Sequence, residues 1–309
     1  MANITEFESD GNETVEIGTP KANIVGTFYD NLQSSKGIIL LPGITEHRSS
    51  LESLAEILNI EFKVWTFDIN SQGDSTGNWN LAEMVESFGV VTEMLKARYG
   101  LTEIGAHGNS TGAMAVGIAA AKGTSLDALC LSGAPAGLQD TVAPWIREVS
   151  LVIPQRAVRW FTKLVDWYWA KTNENYRNKS HQLFLQEDEK DYNTPYAQFG
   201  ATKIPSLRKL IEWLEVAPRL DIYTTRIKQP TLFIYGGEDK VNGIKGCNLP
   251  EKIQAMINNI NLRRRAVKIY QGADHCLNGK TNVEDDYNQD SVYQHVKIDI
   301  LEHFARYLL

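Results

Sequence analysis

Leu101-Thr-Glu-Ile-Gly-Ala-His-Gly-Asn-Ser-Thr-Gly-Ala-Met-Ala-Val-Gly-Ile-Ala-Ala-Ala121 decides the architecture. Leu101–His107 reads as a strand, Ser110–Ala121 is rich in Ala and Gly and reads as a helix, and Gly108-Asn109-Ser110-Thr111-Gly112 between them forms the pattern G-x-S-x-G. A strand that turns this sharply into a helix forces its apex residue into a strained backbone conformation. Gly108 and Gly112 let strand and helix approach closely enough for the turn. The Ser110 hydroxyl then stands at the C-terminal end of a sheet and at a helix N-terminus, where developing negative charge is favoured. Alone the pattern is weak, because a serine N-cap produces it too. The strand before it and the helix after it give it weight.

Outward from this turn, strand-like and helix-like segments alternate. Thr14–Gly18 and Ile24–Tyr29, joined through Pro20, read as a leading hairpin. Strands are expected at Gly37–Leu41, Lys63–Asp68, Thr102–Ala106 and Leu126–Leu131, with helices at Leu51–Ile60 and Leu81–Tyr99. This alternation indicates a mostly parallel sheet covered on both faces. It stops after Pro135. From about Gly137 to Arg226 the pattern is helical and aromatic, with Trp145, Trp160, Trp167, Trp169 and Trp213 among the chain's seven tryptophans. Strands return at Thr231–Tyr235 and Ala266–Tyr270, with a helix near Pro250–Ile260 between them. Asp290–Leu309 closes as an amphipathic helix capped by Asp290 or Ser291. The expectation is an α/β core of residues 1–135 and 226–309, interrupted after its sixth strand by a helical insertion, 136–225.

Two of the returning strands end on chemistry. Pro230-Thr-Leu-Phe-Ile-Tyr-Gly-Gly-Glu-Asp239 ends on an acid, and Gln271-Gly-Ala-Asp-His275 ends on an imidazole. A serine hydroxyl is a poor nucleophile until a base and its orienting acid are aligned on it. Ser110, Asp239 and His275 supply those three types at three strand ends, in the chain order nucleophile, acid, base. Glu238 competes with Asp239, but its longer side chain sits nearer the glycine turn. His107 lies inside the strand and reads as a packed core histidine, and His47, His181, His295 and His303 lack a comparable place. An oxyanion hole needs two backbone N–H groups aimed at one point. Thr111, after the nucleophile, and Ile44, in the loop after Gly37–Leu41, are the candidates.

Composition is compatible with this chemistry and excludes others. The 309 residues are 43% hydrophobic and 22% charged, with a net charge of −7, which argues against non-specific nucleic-acid binding. Arg263-Arg264-Arg265 is the one basic cluster and reads as a solvated strand edge. The polar, acidic N-terminus shows no signal peptide, and no run approaches the roughly 18 apolar residues of a membrane span. Three cysteines, Cys130, Cys247 and Cys276, are odd in number and unpatterned, which fits a reducing cytoplasm. No H-E-x-x-H, paired-cysteine zinc spacing, P-loop or dinucleotide pattern occurs. Asp286-x-Asn288-x-Asp290 imitates a calcium loop, but Ser291 and Lys297 stand where glycine and glutamate are required. No metal and no cofactor are expected.

The motifs together resemble the α/β-hydrolase serine esterases, particularly the monoglyceride-lipase group and the bacterial feruloyl (cinnamoyl) esterases. Pro42-Gly-Ile-Thr-Glu-His47 is similar to the lipase group's His-Gly-x-Gly-Glu-His. Phe67-Asp-Ile-Asn-Ser-Gln-Gly-Asp-Ser-Thr-Gly77 is similar to the Phe-Asp-x-Asn-Gly-His-Gly-Asp-Ser-x-Gly stretch of the feruloyl esterases, and Gly272-Ala-Asp-His-Cys276 to their segment around the histidine. The resemblance covers about residues 14–135 and 226–309. Pro42 and Asn109 stand where the family has histidines, Ser71-Gln72 replaces Gly-His, and the insertion has no counterpart we can name.

The resemblance implies an α/β-hydrolase fold with the insertion as a cap. If Gln155–Ala170 is helical, Ala157, Trp160, Phe161, Leu164, Val165 and Tyr168 share one face, with Trp167 and Trp169 at its margins. That face is either the cap's packing surface or the wall of a substrate pocket lined by Trp160, Trp167 and Trp169. The activity implied is a serine carboxylesterase acting on a small-molecule ester, monoacylglycerol-like or hydroxycinnamate-like, with neither nucleic acid nor stable membrane insertion involved. A thioesterase, an acyltransferase or a peptidase would use the same three residues, and a binding protein with a vestigial site would also keep the fold. The oligomeric state is left open.

Overall fold

Nine strands form one sheet in the computed structural model, which describes residues 4–9, 12–43, 46–78, 80–137, 219–277 and 291–309. Strands β1 (Ile4–Ser9), β2 (Asn12–Gly18) and β3 (Asn23–Tyr29) make an antiparallel meander, and β3 pairs antiparallel with β5 (Lys63–Phe67). All later pairs are parallel: β5 with β4 (Lys36–Leu41), then β6 (Glu103–Asn109), β7 (Ala128–Ser132), β8 (Thr231–Gly236) and β9 (Arg265–Tyr270). The order across the sheet is β1-β2-β3-β5-β4-β6-β7-β8-β9. The parallel, mostly helix-covered centre is the one expected.

Period-two alternation divides each central strand between two cores. Ile39 and Leu41, Ile104 and Ala106, Leu129 and Leu131, and Phe233 and Tyr235 face one side. There they meet α2 (Leu81–Tyr99), α3 (Thr111–Ala121), α4 (Leu220–Tyr223) and α5 (Glu251–Asn258). Ile38 and Leu40, Ala128 and Cys130, and Leu232 and Ile234 face the other, under α1 (Glu52–Leu58) and α6 (Ser291–Leu308). Strands buried on both faces carry near-continuous apolar runs, which is why the sequence located them. Helix α2 shows its caps plainly. The Asn80 side chain accepts from the Ala82 amide at 2.8 Å, and Gly100 ends the helix with φ 60°. Phe28 stacks on Trp65 at 4.7 Å, fastening the leading meander to β5.

Several boundaries move from their expected places. β1 precedes the hairpin, so the insertion follows the seventh described strand and not the sixth. It pairs with β2, the strand that follows it directly, Ile4 opposite Ile17 and Ser9 opposite Asn12, and its acid-rich sequence hid it. β6 runs on to Asn109 because Leu41 pairs with Gly108 and Ser132 with Asn109 on either side. The expected helix at Leu51–Ile60 splits into a 3-10 turn, Arg48–Leu51, and α1. Residues 138–218, which hold Trp160, Trp167, Trp169 and the whole Gln155–Ala170 segment, lie outside the described residues. At their edges the chain leaves the core at Ala136 and re-enters at Leu220, both buried. The Asp221 amide donates to the Ala136 carbonyl at 3.0 Å, so the two ends are joined. Residues 219–226 pack on the core. Among the described residues no helix is long and apolar enough to cross a membrane.

Candidate active site

Ser110 joins β6 to α3 with φ 51° and ψ −111°, a conformation open to few L-residues. Neighbouring contacts hold it there. Its amide donates to the Ser132 carbonyl at 2.8 Å, and its carbonyl accepts from the Met114 amide at 3.2 Å. A Cβ on Gly108 would meet the Gly112 backbone and lie 2.5 Å from the Ala113 nitrogen. One on Gly112 would meet the Pro42 carbonyl and lie 2.6 Å from the Leu41 carbonyl. Both glycines are thus required by close backbone approach, as the elbow pattern predicts.

Asp239 follows β8 through Gly236 and Gly237 and is fully buried. Its carboxylate accepts from the Asn242 amide at 3.0 Å, from Asn242 Nδ2 at 2.9 Å and from His275 Nδ1 at 2.9 Å. Burial alone would raise this carboxyl. The hydrogen bond and charge of His275 and the two Asn242 donors outweigh it and hold the group below the usual carboxylate range. On the other side of the ring, His275 Nε2 lies 2.9 Å from Ser110 Oγ. Gly133, with φ 56°, gives the imidazole room; a Cβ there would sit 3.1 Å from His275 Cε1.

Hydroxyl, imidazole and carboxylate therefore form one hydrogen-bonded chain across three strand ends. A base within 3 Å of a hydroxyl and itself oriented by a buried acid can take and return a proton. Glu238 points elsewhere, accepting from the Gly246 amide at 2.9 Å. Thr111 is buried and opens α3, where its amide has no partner within the helix. Ile44 lies outside the described residues. His107 is buried and held neutral, its pKa pushed down to about 4 by burial, as befits a core histidine. Burial, with Glu46, Asp274 and Asp239 nearby, pushes the Cys276 thiol up to about 12, so it carries no thiolate for nucleophilic work.

Two residues of the site escaped the sequence reading. Asn242 braces Asp239 and donates its side-chain amide to the Gly133 carbonyl at 2.8 Å; its only local signal is an Asp-x-x-Asn spacing. Glu46, quoted above only as part of a motif, accepts from the Gly43 amide at 2.5 Å and from Asn109 Nδ2 at 3.1 and 3.2 Å. Among the described residues one group, His47, Asp68 and Asp74, brings metal-ligand types together. The Arg48 guanidinium already bonds both carboxylates, at 2.7 Å to Asp74. That group reads as an ion-pair network tying the 67–77 loop to the 3-10 turn.

A family profile described as serine aminopeptidase, S33, matches residues 33–282. The chain belongs to the serine aminopeptidase S33 family. Solved structures similar to this S33 member include an esterase of Pyrococcus furiosus (18% identity, 96% of this chain and 90% of that one, TM-score 0.60). A thermophilic esterase from Thermogutta terrifontis matches at 18% identity over 95% and 98%, with a TM-score of 0.59. A hydrolase from Pseudomonas aeruginosa matches at 15% over 98% of both chains, with a TM-score of 0.60. No curated protein sequence gives a significant match. These likenesses identify the α/β-hydrolase fold, and with the S33 family membership the protein is a hydrolase of that fold.

Proposed function

We propose that this S33 member is a serine carboxylesterase using Ser110, His275 and Asp239. The observation that supports this best is the continuous chain of two 2.9 Å contacts, Ser110 Oγ to His275 Nε2 and His275 Nδ1 to Asp239 Oδ2. Ser110 Oγ attacks the ester carbonyl carbon while His275 Nε2 takes its proton. The carbonyl π electrons move to oxygen, and the backbone N–H groups of Thr111 and Ile44 receive the oxyanion beside the N-terminus of α3. Collapse expels the alcohol, which takes the proton back from His275 and leaves an acyl-Ser110. Water then attacks with His275 again as base, releasing the acid and restoring the hydroxyl. Throughout, Asp239 holds the ring with Nδ1 protonated and balances the charge of the imidazolium.

The substrates proposed are small to medium carboxylic esters with an apolar acyl or aryl group, monoacylglycerol-like or hydroxycinnamate-like. This follows the resemblance of the 42–47, 67–77 and 272–276 segments, and two of the similar solved structures are themselves esterases. Within the 136–225 insertion, whose ends at Ala136 and residues 219–225 pack on the core, residues 138–218 are proposed as a helical cap, with Trp160, Trp167 and Trp169 toward its pocket. Three free cysteines favour a reducing, cytoplasmic setting.

Fluorophosphonate labelling with peptide mapping tests the nucleophile. Label on Ser110, and its loss in Ser110→Ala together with about 10⁶-fold of turnover, is expected. An unlabelled wild-type protein would end the proposal. A panel of p-nitrophenyl esters, monoacylglycerols, methyl hydroxycinnamates, thioesters and aminoacyl p-nitroanilides separates esterase from thioesterase and peptidase.

A further inference from the structure

The loop after β4 and the turn into α3 come from segments about 65 residues apart, and two contacts join them. On one side the Leu41 and Pro42 carbonyls press against Gly112, leaving no space for even a methyl group. On the other, Glu46 bridges them. One carboxylate oxygen takes the Gly43 amide at 2.5 Å, and both oxygens lie 3.1 and 3.2 Å from Asn109 Nδ2. Gly43 is itself fitted to this bridge, since a Cβ there would sit 3.0 Å from Glu46 Oε2.

We propose that Glu46 is a positioning residue, whose carboxylate fastens Gly43 to Asn109 and so holds the loop after β4 in place against the turn that carries Ser110 and Thr111. The inference rests on the serine-hydrolase reading of Ser110. Asn109 directly precedes Ser110, and Gly43 directly precedes Ile44 in the chain, so the bridge grips the sequence neighbours of the nucleophile and of the proposed oxyanion donor. The chemistry demands a carboxylate. Both partners are donors: Oε2 takes the two together and Oε1 adds a second contact to Asn109 Nδ2, through charge-assisted bonds stronger than neutral ones. A glutamine would keep an acceptor for Gly43 but lose the charge and the second acceptor, and its NH2 would find a partner only if the Asn109 carboxamide turned over. This also accounts for Asn109 standing where the resembling family carries histidine: a primary amide can donate to both carboxylate oxygens here.

Glu46 looks on its far side into a cavity of about 110 Å³, bounded also by Asn109, His107, Ser132 and Cys276. His107 Nδ1 and Ser132 Oγ are buried there without a hydrogen bond of ordinary geometry among the described residues. The Cys130 thiol beside Ser132 is a weak partner. The rest of the wall is apolar, Leu51, Leu54 and Ile300 among it, but the polar groups gathered near Glu46 suit ordered water, which would solvate the ionised carboxylate from behind. Burial raises the Glu46 carboxyl, while the Gly43 and Asn109 donors and the charge of His275 oppose the rise.

A donor–acceptor exchange tests the inference. Glu46→Gln removes the charge and one of the two acceptors that hold Asn109 Nδ2, and kcat on p-nitrophenyl acetate should fall by about 10²-fold, the cost of a displacement near 1 Å in such a site. KM should change far less. Adding Asn109→Asp restores a donor opposite an acceptor, and the double variant should regain about tenfold or more over Glu46→Gln. A merely structural role predicts no such rescue. Wild-type kcat in Glu46→Gln, or a double variant no better than the worse single one, overturns the inference while Ser110 still labels. Absence of labelling in the wild-type chain instead overturns the reading beneath it. The bridge is also visible without turnover. Amide exchange at Gly43 should quicken on the order of tenfold in Glu46→Ala, and unchanged exchange refutes the bridge even in an inert chain.

Discussion

Adding one methyl group at Gly112 should separate the loop after β4 from the helix that opens at Thr111. The Cβ of Gly112→Ala would lie 2.6 Å from the Leu41 carbonyl oxygen and 3.0 Å from the Leu41 carbonyl carbon, with the Pro42 oxygen nearer still. A comfortable carbon–oxygen contact is about 3.3 Å, so the two backbones must part by at least about 0.7 Å. None of the obstructing atoms belongs to a flexible side chain, so nothing rotates away. Overpacking of this kind costs about 1–3 kcal/mol, read as a drop of several degrees in Tm for a domain this size. Because the displaced segments carry the two proposed oxyanion donors, kcat/KM on p-nitrophenyl acetate should fall by about 10²-fold. Gly89→Ala is the control. It adds the same methyl in α2, where the nearest obstruction is the Thr124 hydroxyl at 3.3 Å, and helix propensity favours it by up to about 1 kcal/mol. Turnover by Gly112→Ala within about threefold of wild type would refute the argument that this backbone contact sets the site.

Two further substitutions probe the supports. Asn242→Ala removes the 2.9 Å donor to Asp239 and the 2.8 Å donor to Gly133, at a cost of about 1.5–3 kcal/mol for a bond to a buried charge. Asp239 is held below the usual carboxylate range in the folded state, so its ionisation contributes stability above the ordinary carboxylate pKa, and that contribution is lost as pH falls through the lower folded value. The gap between wild type and variant, read by urea unfolding, should therefore be widest near neutrality and narrow under acid; a constant gap would count against it. Leu220→Ala should cost about 2–5 kcal/mol, because Leu220 is wholly buried in the core and a Cβ on Gly117 would meet its Cδ1 at 2.7 Å. A negligible loss would mean that residues 219–226 move with the insertion.

What the sequence disclosed was what short-range rules encode. The central strands declared themselves because both faces are buried, leaving no polar alternation to confuse the pattern. Ser110, Asp239 and His275 were legible because each follows an apolar run and a glycine, and their chain order restricts the geometries that unite them. What stayed hidden depends on partners distant in the chain. Ile4–Ser9 is an exception: its partner Asn12–Gly18 follows directly, and it stayed hidden because Glu6 and Glu8 interrupt its apolar residues. Leu220 stands between Arg219 and Asp221 with no apolar period around it, and is buried because Gly117 leaves room and Ala136 receives the following amide. Glu46 and Asn109 are polar residues in separate loops, and nothing local to either names the other.

The same distinction explains where strain sits. Ser110 violates the local backbone preference that its neighbours obey, and a single residue at φ 51° costs on the order of 1–3 kcal/mol. It persists because its surroundings over-determine it. Its amide is held by Ser132 and its carbonyl by Met114, and backbone on either side of Gly108 and Gly112 prevents relaxation. Apart from the Pro42 carbonyl, those restraints come from strands and helices of ordinary geometry. A regular scaffold can thus hold one irregular residue in register, and the irregular residue is the one that presents a hydroxyl to the imidazole. Loosening the restraints should lower turnover before it unfolds the chain, since the elbow contributes geometry to the site and strain to the fold.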